Sequence, residues 1–134
     1  MAYRILRHLA PEEKFSEAAK AILYVTAFER EENFIRWGVI SKTGIQTAVY
    51  GAEMMELKTA VIPYLRKSLA NRRRAPVRGE EAAERSNRRY GDRVCDYAWV
   101  FLADLLGRPM TYREEPYDRD PQIHELDLWL DRRR

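Results

Sequence analysis

Apolar positions recur every three or four residues along most of the chain, the spacing of one helix face rather than of a half-buried strand. In "PEEKFSEAAKAILYVTAFEREENF", Phe15, Ala18, Ala19, Ile22, Leu23 and Thr26 share a broad face. Pro11 suits a first helical position, and Glu12 and Glu13 meet the positive end of the helix dipole. Together these predict a helix from Pro11 to Glu32. The rival reading is a buried strand over "AILYVTAF" with Ile22, Tyr24, Val25 and Phe28 as its apolar set, and the helical flanks decide against it. "NFIRWGVISKTG" fits either successive helical turns or the first arm of a hairpin turning at "KTG", so 33–43 stays open between helix and strand. Beyond Gly44, the pattern Ile45, Ala48, Val49, Ala52, Met55 continues through Leu57, Ala60, Val61, Tyr64 and Leu65 and predicts one long helix. Pro63 has no amide hydrogen for the carbonyl of Thr59, which predicts a kink near Ile62.

"RRRAPVRGEE" joins dense charge to Pro76 and Gly79 and reads as a linker. Glu80 and Glu81 mark the next helix start, Gly91 divides or bends that segment, and Gly107 with Pro109 ends it. Val94, Ala98, Phe101, Leu102 and Leu105 form its core face, with Trp37, Trp99 and Trp129 as further core anchors. "RPMTYREEPYDRD" reads as a surface loop, and the tail as a helix capped by Asp120 and begun at Pro121, with a strand over 123–131 as the alternative. The sum is an all-α fold: an irregular four- to five-helix bundle, one domain over 1–134 with a basic hinge near 72–80.

Charge changes the picture through its layout. The formal net charge is only +3. From Arg66 to Arg93, however, ten basic residues face four acidic ones, a net of +6, while the rest of the chain carries −3. Arg85 and Arg88 lie four residues after Glu81 and Glu84, which neutralises them within their own helix. What survives is Arg66, Lys67, Arg72, Arg73, Arg74, Arg78, Arg89 and Arg93. Arginine presents a planar fork of donors to phosphate and stays charged at any working pH, so this set is the candidate nucleic-acid-binding site, with a single-stranded backbone as the expected partner. About five phosphate contacts there would give a log–log salt slope near −3.5. Tyr64 and Tyr90 are nearby candidates for base stacking, though each reads first as a core or half-buried residue.

Other chemistry is thin. Cys95 is the only cysteine, which leaves no internal disulfide and no thiolate-rich zinc site, and it reads as a small buried apolar residue. His8 has no ligand-type neighbour in sequence, so neither a metal nor another cofactor is expected. Charges interrupt the apolar stretch near Met1, and no run has membrane-spanning length, so the expectation is a cytoplasmic protein without a membrane partner. "WGVISKTGIQTAVYGAEMMEL" misfits a helix-turn-helix: Val49 falls one residue early and no basic residue precedes Lys58 after Gly44.

Two resemblances add expectations. "RDPQIH", Arg119 to His124, resembles the motif of the HEPN ribonucleases, which implies His124 as general acid or base and Arg119 as the stabiliser of phosphorane charge. Pro121 departs from that motif and would put Arg119 off the helix. "TGIQTAVYGAEMM", after an amphipathic helix and "FIRWGVISK", resembles the small helical subunit of type III-B CRISPR effector complexes over roughly Ala21 to Lys58, with Thr43 where an asparagine is usual. This resemblance implies a non-enzymatic, sequence-independent role in antiviral defence, with arginines on RNA or DNA phosphates and other edges on neighbouring protein subunits. The alternative from another class is a phage-encoded inhibitor module whose "TYREEPYDRD" segment docks on a basic protein.

Overall fold

The structure, a computed structural model, describes residues 14–38 and 48–133. Within them lie six α-helices: α1 (Glu17–Glu29), α2 (Val49–Met55), α3 (Ile62–Ser68), α4 (Glu81–Tyr90), α5 (Val94–Leu105) and α6 (Pro116–Arg132). Short 3-10 turns cover Phe34–Arg36 and Lys58–Val61. The described residues contain no strand, only an isolated bridge between Arg74 and Arg93. The expected Pro11 start, the Val39–Ile40 arm and the "KTG" turn lie outside the described residues.

α1 begins at Glu17 rather than further upstream because the Ser16 hydroxyl accepts a hydrogen bond from the Ala19 amide at 3.1 Å. Its buried face is Ala21, Tyr24, Val25 and Phe28, while Ile22 is 46% exposed and Ala18 and Thr26 face solvent. The helix is therefore rotated from the expected face. Of the residues that argued for a strand, Tyr24, Val25 and Phe28 are the ones that pack, and Phe28 joins an aromatic cluster with Phe34, Trp37 and Phe101 at 5.3–5.8 Å between ring centroids.

The long helix expected beyond Gly44 is broken in two. α2 stops at Met55, Lys58 takes a left-handed backbone (φ 49°), and Pro63 opens α3 at its first turn instead of kinking a continuous rod. Gly91 (φ 56°) ends α4 in the left-handed conformation that a Cβ disfavours, so the arginine-rich and apolar halves of 81–105 are two helices. α5 then runs through the middle of the molecule. Val94 to Trp99 and Phe101 to Ala103 are all buried, against α3 on one side and α6 on another. α6 starts at Pro116, four residues before the expected Asp120 cap, and buries Arg119, Ile123, Leu126 and Leu130.

The linker is less wet than its composition suggests. Its backbone is pinned on one flank by Ala75 N–H to Asp92 O (2.8 Å) and by Val94 N–H to Arg73 O (2.9 Å), and on the other by Phe34 N–H to Pro76 O (2.8 Å). Ala75 and Val77 are buried in the core. Its arginines and Gly79 are exposed.

Candidate interaction surface

The eight predicted cationic residues differ in what holds them. Arg66 joins α3 to α6, with Nε 2.6 Å from Asp127 and Nη2 2.7 Å from Asp131. Arg93 donates to Asp96, to Asp120 at 2.8 Å and to the Pro116 carbonyl, with its side chain only 12% exposed. Arg72 also pairs with Asp120, and its guanidinium lies 3.7 Å from the Cys95 sulfur. Arg89 pairs with Glu114 at 3.1 Å and covers the Tyr90 ring.

Among the described residues, the remaining four carry no carboxylate partner. Arg73 donates to the Glu29 carbonyl at the end of α1 (2.8 Å), and Arg74 to the Asn87 carbonyl at the end of α4 (2.9 Å). Both contacts suit a cation at the negative end of a helix dipole. The arginine triplet is thus a three-way staple: Arg72 to α6, Arg73 to α1 and Arg74 to α4. Carbonyl contacts leave a guanidinium charge uncompensated, so Arg73 and Arg74 stay cationic and exposed. Arg78 is held only through its backbone, which exchanges hydrogen bonds with the Asn33 side chain. Lys67 lies 5.9 Å from the Tyr64 ring.

Sequence reasoning missed the buried ionic cluster behind this hinge. Arg119 is fully buried, with Nη2 3.2 Å from Asp96, Nη1 3.7 Å from Asp92 and a 2.7 Å hydrogen bond to the Tyr90 carbonyl. The Tyr112 ring lies 4.6 Å beneath it and the Tyr112 hydroxyl donates to Asp92 at 2.7 Å. Burial pushes the Asp92 carboxyl above its ordinary range, against the opposing pull of Tyr112 and Arg119. Burial also works on Asp120, but the hydrogen bonds and charges of Arg93 and Arg72 outweigh it and hold that carboxyl below its ordinary range. Arg72, Arg93 and Arg119 thus balance Asp92, Asp96 and Asp120.

This arrangement corrects the ribonuclease-like expectation about Arg119. The residue lies inside α6 despite Pro121, its guanidinium is sealed among carboxylates, and exposed His124 sits about 140° away around the helix. The loop expected to dock a basic protein is also partly inward: Tyr112 stacks on Trp99, Glu114 pairs with Arg89, and Tyr117 is 83% exposed.

An open groove of about 660 Å³ runs between α3 and α6. Ile62, Pro63, Leu69, Ala70, Ile123 and Leu130 line it with aliphatic surface, and Arg66, Lys67, Arg72, His124 and Asp127 edge it. It gathers three of the eight predicted cations around aliphatic side chains, with the His124 imidazole beside them. No protein-family model, curated protein or solved structure matches the chain.

Proposed function

We propose that the chain is a non-catalytic subunit of a larger assembly that holds the backbone of single-stranded nucleic acid without reading its sequence, in the manner of the CRISPR small subunits it resembles. The observation that carries this reading is that Arg73, Arg74 and Arg78 keep exposed, uncompensated charge on a segment whose backbone is pinned in place. Arg73 and Arg74 lean towards different helices, so they meet separate phosphates rather than forming one clamp. Contact so sparse is weak in one copy and becomes useful when copies repeat along a strand. The test is fluorescence anisotropy with labelled oligo(U), oligo(dT) and a mixed-sequence strand. The reading requires similar affinity for all three, lost when Arg73, Arg74 and Arg78 are changed together to glutamine, which keeps a donor for the helix carbonyls but no charge. Sequence preference, or binding that survives the triple change, defeats it.

A second reading, a protein-binding inhibitor module, is favoured by the α3/α6 groove, whose apolar lining is aliphatic and whose single aromatic ring, His124, is too few for successive bases to stack on. Its expected outcome in the same assay is no binding to any strand at low salt.

A further inference from the structure

We infer that the α3/α6 groove is the docking site for an acidic amphipathic helix of a partner protein. Both walls are helix faces with the same periodicity. Ile123, Asp127 and Leu130 recur at i, i+4 and i+7 on α6, and Ile62, Arg66 and Leu69 at the same spacing on the α3 side. Two such ridges side by side leave a trough into which a third helix packs its own ridge. The α6 wall from Ile123 to Leu130 is about 10 Å long, so the occupant engages through two to three turns.

The groove's shape and charge choose among occupants. A small ligand is normally enclosed over most of its surface, whereas this groove is open along its length and suits a helix that keeps its outer face in water. Among the lining side chains His124 alone carries an aromatic ring, so the groove lacks the run of rings on which successive bases stack. The rim sets three permanent cations, Arg66, Lys67 and Arg72, against one carboxylate, Asp127. Arg66 is held by Asp127 and Asp131, but among the described residues Lys67 has no carboxylate against it, and Arg72 shares Asp120 with Arg93 while half of its side chain is exposed. An incoming glutamate or aspartate therefore meets Lys67 and Arg72 first. Exposed Tyr117, Pro121 and Leu128 also lie along α6 at helical spacing with His124 between them.

The test uses the full chain and a fluorescein-labelled peptide of about 14 residues with leucine at i, i+4 and i+7 and glutamate on the flanking positions. A second peptide carries lysine in place of every glutamate, and oligo(U) serves as competitor. Saturable binding of the acidic peptide is expected, with amide shifts in 15N spectra centred on Lys67, Ala70 and His124 and at least about tenfold weaker binding of the lysine peptide. Lys67→Glu, which reverses the rim charge, and Ala70→Trp, which fills the floor from an exposed position, are each expected to weaken it at least about tenfold with unchanged melting temperature. No binding of the acidic peptide, equal binding of the lysine peptide, shifts mapping elsewhere, or insensitivity to Ala70→Trp overturns the proposal. Displacement of the peptide by oligo(U) from these same residues also overturns it, by assigning the groove to a strand. Failure of the peptide while the Arg73, Arg74 and Arg78 strand contact persists leaves the nucleic-acid reading standing without a helix-docking groove.

Discussion

Arg119 occupies a position where helix geometry calls for an apolar side chain. It stands at the head of the stripe Ile123, Leu126, Leu130 that α6 buries, and it is tolerated there because Asp92, Asp96, the Tyr90 carbonyl and the Tyr112 ring surround it. Removing one side of a buried charge set leaves the other uncompensated, so Arg119→Met is expected to cost about 3–5 kcal/mol in urea unfolding. A loss below about 1 kcal/mol would show that the cluster does not hold the fold. Asp120 supplies a pH signature. Its carboxyl is held below the ordinary range, so its stabilisation is complete above about pH 4 and disappears as pH falls through the folded-state value. Asp120→Asn is therefore expected to lower stability at neutral pH and to flatten the loss of stability between about pH 5 and pH 2. An unchanged acid limb contradicts this. Asp92 works with the opposite sign, since its raised value makes its charged form a burden above about pH 4. Spacing makes the stripe Ile123, Leu126, Leu130 legible, but Pro121 reads as a helix start and so hides the place of Arg119 at the head of that stripe. Its partners are hidden too, because Asp92 and Asp96 lie more than twenty residues away and no local pattern links them.

α6 carries Pro121 as its sixth residue, beyond the turn where a missing amide costs nothing. The Tyr117 carbonyl loses its i+4 donor there, and Pro121 is exposed, so its ring contributes little packing in exchange. Pro121→Ala is expected to stabilise the protein by about 1–3 kcal/mol, read from the urea midpoint, whereas a neutral or destabilising change would mean that the ring is needed where it is. The helical class, the linker, the Gly107 cap and the core face of α5 can all be read from the sequence, because each depends on local spacing or on one residue's backbone preference. The break after α2 escapes such a reading because apolar periodicity continues across it, and only Lys58's left-handed backbone and Pro63 at a helix start mark it. The buried face of α1 escapes it too, because spacing alone gives small residues such as Ala18 the same weight as Phe28, whose ring fills far more of the core.

In the molecule as a whole, the charge excess of 66–93 is redistributed by folding. Asp120, Asp127 and Asp131 of α6 arrive from 48 to 65 residues away to meet Arg72 and Arg66. A sum along the chain cannot anticipate that neutralisation. Folding divides the arginines by partner: Arg66, Arg72, Arg89, Arg93 and Arg119 pair with carboxylates, while Arg73, Arg74 and Arg78 have none among the described residues. The measurement that tests this division most directly is the salt dependence of oligo(U) binding. Three phosphate contacts predict a log–log slope of about −2, falling to near zero when Arg73, Arg74 and Arg78 are all glutamine. A slope of about −3.5 or steeper would mean that the carboxylate-paired arginines also reach phosphate, and the absence of binding at low salt would mean that none of them does.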